Sequence, residues 1–325
     1  MKLLVALVSC LALHACDTFD KRSDTARPKV RVAFSPVLSW GPIMIARAEG
    51  YFDAEGIEVE YVPSLGSEEE LAALVTGDID VDPGPLHAGF LSAIAQGAKT
   101  KIVAGQGFLD RGGCTYYGIV RRKTLDSAAR DIKRIRSSQD GVTRFATMSM
   151  LRKHGINLNN LETMRLPDAV LAMSLESGAI DAVGSSEPAL SRLRKIGPLW
   201  LSAQNALPDL QWGVIAFSER LLYREKETGA KFLRAYSRGV EQYRQGKTER
   251  NVAIIAEATG ESADTIREAC WLPFRADLVL DWKSVDDFQK WANEEGLMEK
   301  TLSVDQAWDS TFLAQAMSQA PQTLK

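Results

Sequence analysis

The sequence predicts an α/β protein with mostly parallel sheets flanked by helices. Between residues 29 and 105, an extended run, a Gly/Pro/Ser-rich loop and an amphipathic helix follow one another three times. A glycine ends each helix, at Gly50, Gly77 and Gly97. Strands that alternate with helices of about ten residues are typical of right-handed βαβ units. Ligands of such sheets lie beyond the carboxyl ends of the strands, so the loops after the strands are the expected place for a functional site.

The three units define the first elements of the chain. The predicted strands and helices alternate in the order 30–34, 43–49, 59–62, 68–76, 79–81 and 86–96. Asp82-Pro83-Gly84-Pro85 is interpreted as the loop between the last two. Ser67 and Glu70 have the spacing of a capping box at the start of the second helix.

A second copy of the pattern lies between about 119 and 205. It includes predicted strands near 134–136 and 163–166 and a helix at 169–176. The segment Leu74–Asp80 is echoed by Leu175–Asp181, each a helix end followed by glycine and a strand that begins with Ile-Asp. This echo predicts two similar lobes. After one more strand at 212–217 the chain is predicted to be helical, with serines as N-caps at Ser218, Ser262 and Ser284.

The first residues indicate export. Met1-Lys2 is followed by the apolar run Leu3–Leu13, which is shorter than the about 20 residues that a membrane span needs. We therefore interpret it as a secretory signal. Leu13-His14-Ala15-Cys16 resembles a bacterial lipobox, which predicts a signal peptide at 1–16, lipid on Cys16 and a polar tether at 17–28. Cleavage without lipid attachment is the alternative.

Composition excludes several functions. The net charge is −3 and basic and acidic residues are mixed along the chain, so there is no basic stripe for nucleic acid. The histidines are scattered and no CxxC pair occurs, so neither a metal site nor a cofactor is predicted. Gly-x-Ser-x-Gly, HExxH and Walker motifs do not occur, and we assign no catalytic residue. Cys114 and Cys270 form either a disulfide or two buried thiols.

The ordered series of motifs resembles the periplasmic substrate-binding proteins of ABC importers. The similarity is to the nitrate/sulfonate/taurine and thiamine-pyrimidine-precursor group, and it is carried by 46–52, 55–59, 74–80 and 184–188. The resemblance implies the two-lobed type II binding-protein fold with two hinge crossovers. Lobe one would comprise 28–114 and 208–325, and lobe two 115–207.

The function implied by this resemblance is capture of a small solute without chemistry. The protein would act as a monomer in the periplasm, held by its lipid to a membrane, or to the cell surface in a Gram-positive source, and would deliver the solute to permease subunits. A pyrimidine-synthesis enzyme on the same scaffold and a sensory binding domain are the alternatives.

Candidate ligand-binding residues lie in the loops beyond the predicted strands and at the hinges. They are Ser35, Trp40, Ser64, Gly66, Ser67, Asp82, Pro83, Gly84, Phe108, Tyr116, Ser138, Ser185, Glu187 and Trp212. Aromatic rings among them would supply flat walls. For Trp40 the alternative role is packing within its own lobe, and for Ser67, Asp82 and Glu187 it is helix capping.

Charge favours one class of solute. Glu68, Glu69 and Glu70 lie at the predicted start of a helix, where they would repel a bound anion. Asp82 and Glu187 follow equivalent strands of the two lobes and would suit an amine, an amidine or a protonated heterocycle. We therefore expect an aromatic or nitrogen-containing solute first and a sulfonate next.

Overall fold

The computed structural model describes residues 27–318 except residues 65, 127, 129–131 and 138–140. The predicted signal peptide, Cys16, nearly all of the tether and Ser138 lie outside these residues. Within them, no helix has both the length and the apolarity needed to cross a membrane.

The described residues form ten strands. These are β1 (Lys29–Phe34), β2 (Glu58–Pro63), β3 (Val81–Pro85), β4 (Lys101–Phe108), β5 (Tyr117–Arg121), β6 (Arg134–Arg136), β7 (Glu162–Met164), β8 (Ala182–Ser186), β9 (Leu199–Ser202) and β10 (Gln211–Phe217).

Helices occupy most of the remaining described chain. They are α1 (Gly41–Ala48), α2 (Tyr51–Ala54), α3 (Ser67–Thr76), α4 (Ala88–Ala95), α5 (Val142–Lys153), α6 (Asp168–Glu176), α7 (Ala189–Ile196), α8 (Ala203–Ala206), α9 (Lys226–Tyr243), α10 (Glu249–Thr259), α11 (Ala263–Glu268), α12 (Trp282–Glu294), α13 (Val304–Ala307) and α14 (Thr311–Ser318). Short 3₁₀ turns lie at Leu38–Trp40 and Leu158–Asn160, and a π-helical turn at Arg220–Arg224.

The strands form two five-stranded sheets with the same plan. Their orders are β2-β1-β3-β10-β4 and β7-β6-β8-β5-β9. In each sheet the first three strands run parallel, and the fourth is antiparallel to both of its neighbours. The predicted α/β class with two lobes is confirmed, although the sheets are mixed rather than mostly parallel. We call the first sheet with α1–α4 and α9–α14 lobe one, and the second sheet with α5–α7 lobe two.

The chain crosses between the lobes twice. One crossover joins β4 to β5 across 109–116, and the other joins β9 to β10 across 203–210. β5 and β10 are each the fourth of five strands in their sheets. Each crossover therefore leads directly into an interior strand of the other lobe. The disulfide between Cys114 and Cys270 ties the first crossover to the segment that precedes α12.

The sequence echo corresponds to the same structural joint in both lobes. Asp80, just before β3, accepts hydrogen bonds from the backbone N–H and the guanidinium of Arg31 on β1. Asp181, just before β8, accepts one from the backbone N–H of Arg134 on β6, at 3.0 Å. The guanidinium of Arg31 also donates to the carbonyl oxygen of Gly77, and that of Arg134 to the carbonyl oxygen of Gly178. These glycines end the helices before β3 and β8. Each lobe therefore fixes its central strand with a buried Asp–Arg contact.

Several boundaries differ from the prediction. β3 begins at Val81 and includes Pro83, Gly84 and Pro85, which were predicted as a loop. The central location of β3 between β1 and β10 overrides the low strand propensity of proline and glycine. β8 likewise begins after Asp181, two residues later than the echo suggested.

Some predicted helix caps are wrong. Gly66 is the N-cap of α3 and Ser67 lies inside the helix, so the Ser67–Glu70 capping box does not form. His87 caps α4 through its Nδ1, which excludes Asp82 from that role. Ser284 lies within α12, whose N-cap is Asp281, whereas Ser262 caps α11 as predicted. The hydroxyl of the third serine, Ser218, has no hydrogen-bond partner in the described chain.

Candidate functional site

The loops beyond the carboxyl ends of the two sheets contact each other. The backbone N–H of Val142, at the start of α5, donates to the carbonyl oxygen of Leu86, just after β3, at 2.7 Å. An isolated β-bridge joins the adjacent residues His87 and Gly141. Since β3 belongs to lobe one and α5 to lobe two, the carboxyl edges of the two sheets face each other at the interface between the lobes, which we call the cleft.

Aromatic rings fill the hinge side of this cleft. Trp212 on β10 contacts Tyr116 edge-on at a centroid distance of 5.4 Å, and Tyr117 at 5.1 Å. Trp40 contacts Phe34 edge-on at 5.6 Å. Trp40, Tyr116 and Trp212 are all buried, with 2% or less of their surface exposed. In this conformation the predicted aromatic walls therefore pack against protein.

A polar network links these rings to β3. Gln106 on β4 donates through Nε2 to the carbonyl oxygens of Ser39 and Pro83 at 3.1 and 3.3 Å. Its Oε1 is buried and has no hydrogen-bond partner in the described chain. Burial raises the pKa of Tyr116 to about 12, and hydrogen bonding to Ser39 opposes this rise. Residues 39, 83, 106 and 116 thus come together although they are far apart in sequence.

Glu187 lies at the junction of the lobes, and its carboxylate is occupied by local contacts. It accepts hydrogen bonds from the backbone N–H and the hydroxyl of Ser191 at 3.0 and 2.9 Å. The backbone N–H of Glu187 donates to the carbonyl oxygen of Tyr116 at 3.0 Å. Burial raises its pKa, and the bonds from Ser191 and from the Cys270 backbone oppose that rise. The carboxylate of Glu187 therefore bonds to the first turn of α7, which begins just after the N-cap Pro188.

Asp82 has a different environment. It lies on β3 with 5% of its surface exposed, and its Oδ1 has no hydrogen-bond partner in the described chain. Burial, together with the charge of Glu70, raises its pKa to about 8. Glu70 on α3 also has a raised pKa because it is largely buried, and its Oε1 likewise has no partner there. Asp82 and Glu70 therefore form a buried carboxyl pair beneath the carboxyl edge of lobe one.

The other candidates are distributed around this edge. Ser35, Ser64 and Ser67 are half-buried, and Gly66 is exposed with a φ of 125° that favours glycine. Pro83, Gly84 and Ser185 are buried within β3 and β8. Phe108 ends β4 and lies under the guanidinium of Arg275, 4.7 Å from the ring centroid. It therefore contacts the segment before α12.

Ion pairs join the lobes at two further places. The guanidinium of Arg192 on α7 bonds to the carboxylate of Glu261, which follows α10. On another side, Glu295 pairs with Arg144 and Arg152 of α5, at 3.8 and 3.5 Å. The lobes are therefore joined by charged contacts outside the hinge.

A cavity of about 480 Å³ lies within lobe one, between β1, β2, α1 and α10. Phe34 and Tyr61 stack at 4.3 Å on one side of it, and Arg47 lies over the Tyr61 ring. Ile254 and Glu257 of α10 form the opposite side. Its volume is in the range of small-molecule pockets. Across the described residues, no group of three or more His, Cys, Asp or Glu side chains is arranged to hold a metal ion.

Comparison with known families identifies the chain. The family model described as "NMT1/THI5 like" matches residues 39–246. The protein belongs to this family. The resemblance inferred from the sequence motifs is confirmed, since solute-binding proteins for nitrate and sulfonates are among the structural neighbours. No curated protein matches the sequence.

Solved structures show the same fold at low identity. The periplasmic nitrate-binding protein NrtA from Synechocystis PCC 6803 has a TM-score of 0.73 and 13% identity, covering 90% of this chain and 89% of its own. The periplasmic aliphatic sulphonate binding protein SsuA from Escherichia coli has a TM-score of 0.68 and 15% identity, with coverages of 86% and 92%. The desulfurization enzyme DSZB has a TM-score of 0.68 and 14% identity, with coverages of 90% and 99%.

Sequence reasoning missed several residues of this region. Glu70 had been assigned to a capping box, and Gln106 lies in a β-strand whose sequence gives no sign that its amide crosses to other strands. The Arg192–Glu261 contact joins residues 69 positions apart. A contact between residues so far apart cannot be predicted from the pattern of residues around either one.

Proposed function

We propose that this protein is the solute-binding component of an ABC importer. It captures a small organic solute between its two lobes and delivers it, unaltered, to the permease subunits. The observation that supports this proposal is the contact of the two carboxyl edges through Leu86 and Val142, which brings strand-end segments of both lobes together. Similar structures include proteins that bind nitrate and aliphatic sulphonates.

The mechanism follows from this geometry. A solute enclosed by two lobes loses water on both sides and gains contacts from both, so it binds the closed form more tightly than the open form. Binding therefore shifts the equilibrium toward closure about the crossovers at 109–116 and 203–210. The permease would recognise the closed form, and the solute would leave when the lobes separate.

We favour an aromatic or nitrogen-containing solute over a sulfonate. Glu68 and Glu69 are exposed at the start of α3, Glu70 is half-buried with its Oε1 atom covered, and Asp82 is buried. These carboxyl groups oppose an anion at this helix terminus. Trp40, Tyr116 and Trp212 would become ligand walls if the lobes separate and reclose on a solute.

We also propose that Cys16 anchors the protein to a membrane as a lipoprotein, with the folded body in the periplasm or at a Gram-positive cell surface. Serine at position 16 should abolish incorporation of a labelled fatty acid and release the protein into the soluble fraction. Retention of the label by Cys16→Ser would refute lipid attachment at this residue.

An enzyme on the same scaffold is the second candidate, because DSZB shares the fold. A sensory domain that docks to a receptor is the third candidate. Permease genes beside this gene would favour the importer, and a receptor gene beside it would favour the sensory domain. A thermal-shift screen with mass analysis of each compound tests the proposal against the enzyme. A solute at about 100 times its dissociation constant adds about 2.7 kcal/mol to the unfolding free energy. Stabilisation by an unaltered compound supports binding, whereas conversion of that compound supports an enzyme.

A further inference from the structure

Asp82 and Glu70 are a buried carboxyl pair without a described counter-charge. Asp82 Oδ1 and Glu70 Oε1 are both buried, and neither has a hydrogen-bond partner in the described chain. A buried ionised carboxylate is costly unless it is paired, so such groups normally acquire a cation or a set of donors. Glu70 also accepts a hydrogen bond from Ser64. The pair is therefore suited to a donor that the described residues do not supply.

Neighbouring carboxylates show how this chain satisfies a structural charge. Asp80, two residues before Asp82, is completely buried and is paired with Arg31 and Arg220. In lobe two, Asp181 pairs with Arg122 at 3.1 Å. Val183 is the counterpart of Asp82 in lobe two, because Asp181 corresponds to Asp80. The acidic residue is thus not required by the shared fold.

The carboxyl group of Asp82 points toward the functional edge of the sheet. A Cβ atom at Gly84, two residues nearer that edge on the same face of β3, would lie 2.9 Å from Asp82 Oδ1. Because residue 84 is glycine, it places no side chain of its own against Oδ1. A cavity of about 60 Å³ lies beside Glu70, lined also by Ala33, Val62 and Glu69. This volume accommodates a group of the size of an ammonium ion or a water molecule.

We propose that Asp82 and Glu70 form the subsite that binds a protonated nitrogen, an amine or amidinium, of the transported solute. The inference rests on the proposed solute-binding function and specifies its ligand class. The N–H groups of the solute would donate to Asp82 Oδ1 and Glu70 Oε1, and the positive charge would stabilise both carboxylates. The proton that the isolated pair retains near neutral pH would be released when the cation binds.

The experiment uses four small benzene derivatives that differ in charge. Benzamidine is a cation, benzamide is its neutral counterpart and benzenesulfonate is an anion. Benzylamine serves as a second cation. Their binding to the purified protein is measured by isothermal titration calorimetry in phosphate at pH 6, 7 and 8, because release of a proton on binding makes the affinity rise with pH over this range. We expect at least one of the two cations to bind, with release of a proton, and to bind at least tenfold more tightly than benzamide and benzenesulfonate.

Variants connect the affinity to the two carboxyl groups. Asp82→Asn and Glu70→Gln preserve size and should each weaken the bound cation about 10- to 100-fold, the range expected for a hydrogen bond to a charged group. Gly84→Ala is a third variant, which should weaken the cation by obstructing Oδ1 while both carboxyl groups remain. Glu68→Gln is the matched control, since Glu68 is exposed on the first turn of the same helix. It should retain the affinity of the unmodified protein.

The outcomes separate the inference from the function on which it rests. If benzenesulfonate or benzamide binds best, or if the affinity for a cation is equal in the unmodified protein and Asp82→Asn, the inference is wrong and solute binding stands. If no compound of any charge binds or stabilises the protein, the inference fails together with the proposed function. Cation binding that is weakened by Asp82→Asn and Glu70→Gln, but not by Glu68→Gln, supports the subsite.

Discussion

Replacing Asp82 by asparagine should stabilise the protein, and the gain should grow with pH. Burial and the charge of Glu70 raise the pKa of Asp82 in the folded state to about 8, against 3.8 for a free aspartate. The folded state therefore binds this proton more tightly than the unfolded state does. Folding stability is consequently lost as pH rises from about 4 to about 8.

The magnitude follows from the pKa difference. Each pKa unit corresponds to about 1.36 kcal/mol, so the acidic side chain lowers the unfolding free energy by about 4 kcal/mol at pH 7 and by about 0.6 kcal/mol at pH 4. Asparagine has the same shape without the charge, and its amide can donate to the unpartnered Oε1 of Glu70. We expect Asp82→Asn to raise the melting temperature by several degrees at pH 8 and by about a degree or less at pH 4.

The assay is thermal unfolding of the unmodified protein, Asp82→Asn and the exposed-site control Glu68→Gln at pH 4, 6 and 8 in buffers of equal ionic strength. The difference between Asp82→Asn and the unmodified protein should increase steadily with pH, and the control should show no such trend. A melting temperature of Asp82→Asn below that of the unmodified protein at pH 8 would refute the reasoning, because it would mean that the ionised carboxylate has a stabilising partner.

Three further predictions concern the frame around the cleft. Cys114 and Cys270 are 156 residues apart, so replacing both by serine should lower the unfolding free energy by about 5 kcal/mol in oxidising conditions. In reductant, the double-serine variant and the unmodified protein should have nearly equal stability. Asp80→Ala leaves the guanidinium groups of Arg31 and Arg220 without their buried partner. Denaturant unfolding should show an unfolding free energy lower by about 3–5 kcal/mol. A loss below about 1 kcal/mol would show that the contact is dispensable. Arg192→Glu should weaken solute binding severalfold by opposing lobe closure, with less than about 1 kcal/mol lost in stability, and the double variant with Glu261→Arg should restore affinity. Unchanged affinity in Arg192→Glu would exclude this ion pair from closure.

Local pattern was sufficient for the strand–helix alternation and for the repeat of Leu74–Asp80 at Leu175–Asp181. Both copies encode a helix end and a left-handed glycine, which depend on residues close in sequence. The partners of the aspartates, Arg31 and Arg134, lie almost fifty residues earlier, and the pattern did not reveal them. The course of β3 could not be read in the same way. Pro83 and Gly84 disfavour a strand locally, and only pairing with β10, more than a hundred residues later, makes them part of the sheet.

The candidate site shows the same division. Asp82 and Glu187 were identified because parallel sheets place ligands at strand ends, and Tyr116 because it lies at a predicted hinge. The actual partners of these residues depend on distances across the fold. Glu187 bonds to Ser191 of α7, the helix that follows it. Asp82 lies on β3 and has Glu70 of α3, the preceding helix, as its neighbour. A cap and a charge pair cannot be distinguished by spacing alone, since both begin with an acidic residue after a strand.

The most direct test of solute capture is native mass spectrometry of the purified protein, incubated with the compound that stabilises it most. The account predicts one molecule bound per chain, released on denaturation with its original mass. Release of a compound of different mass, or a covalent adduct on the chain, would contradict it.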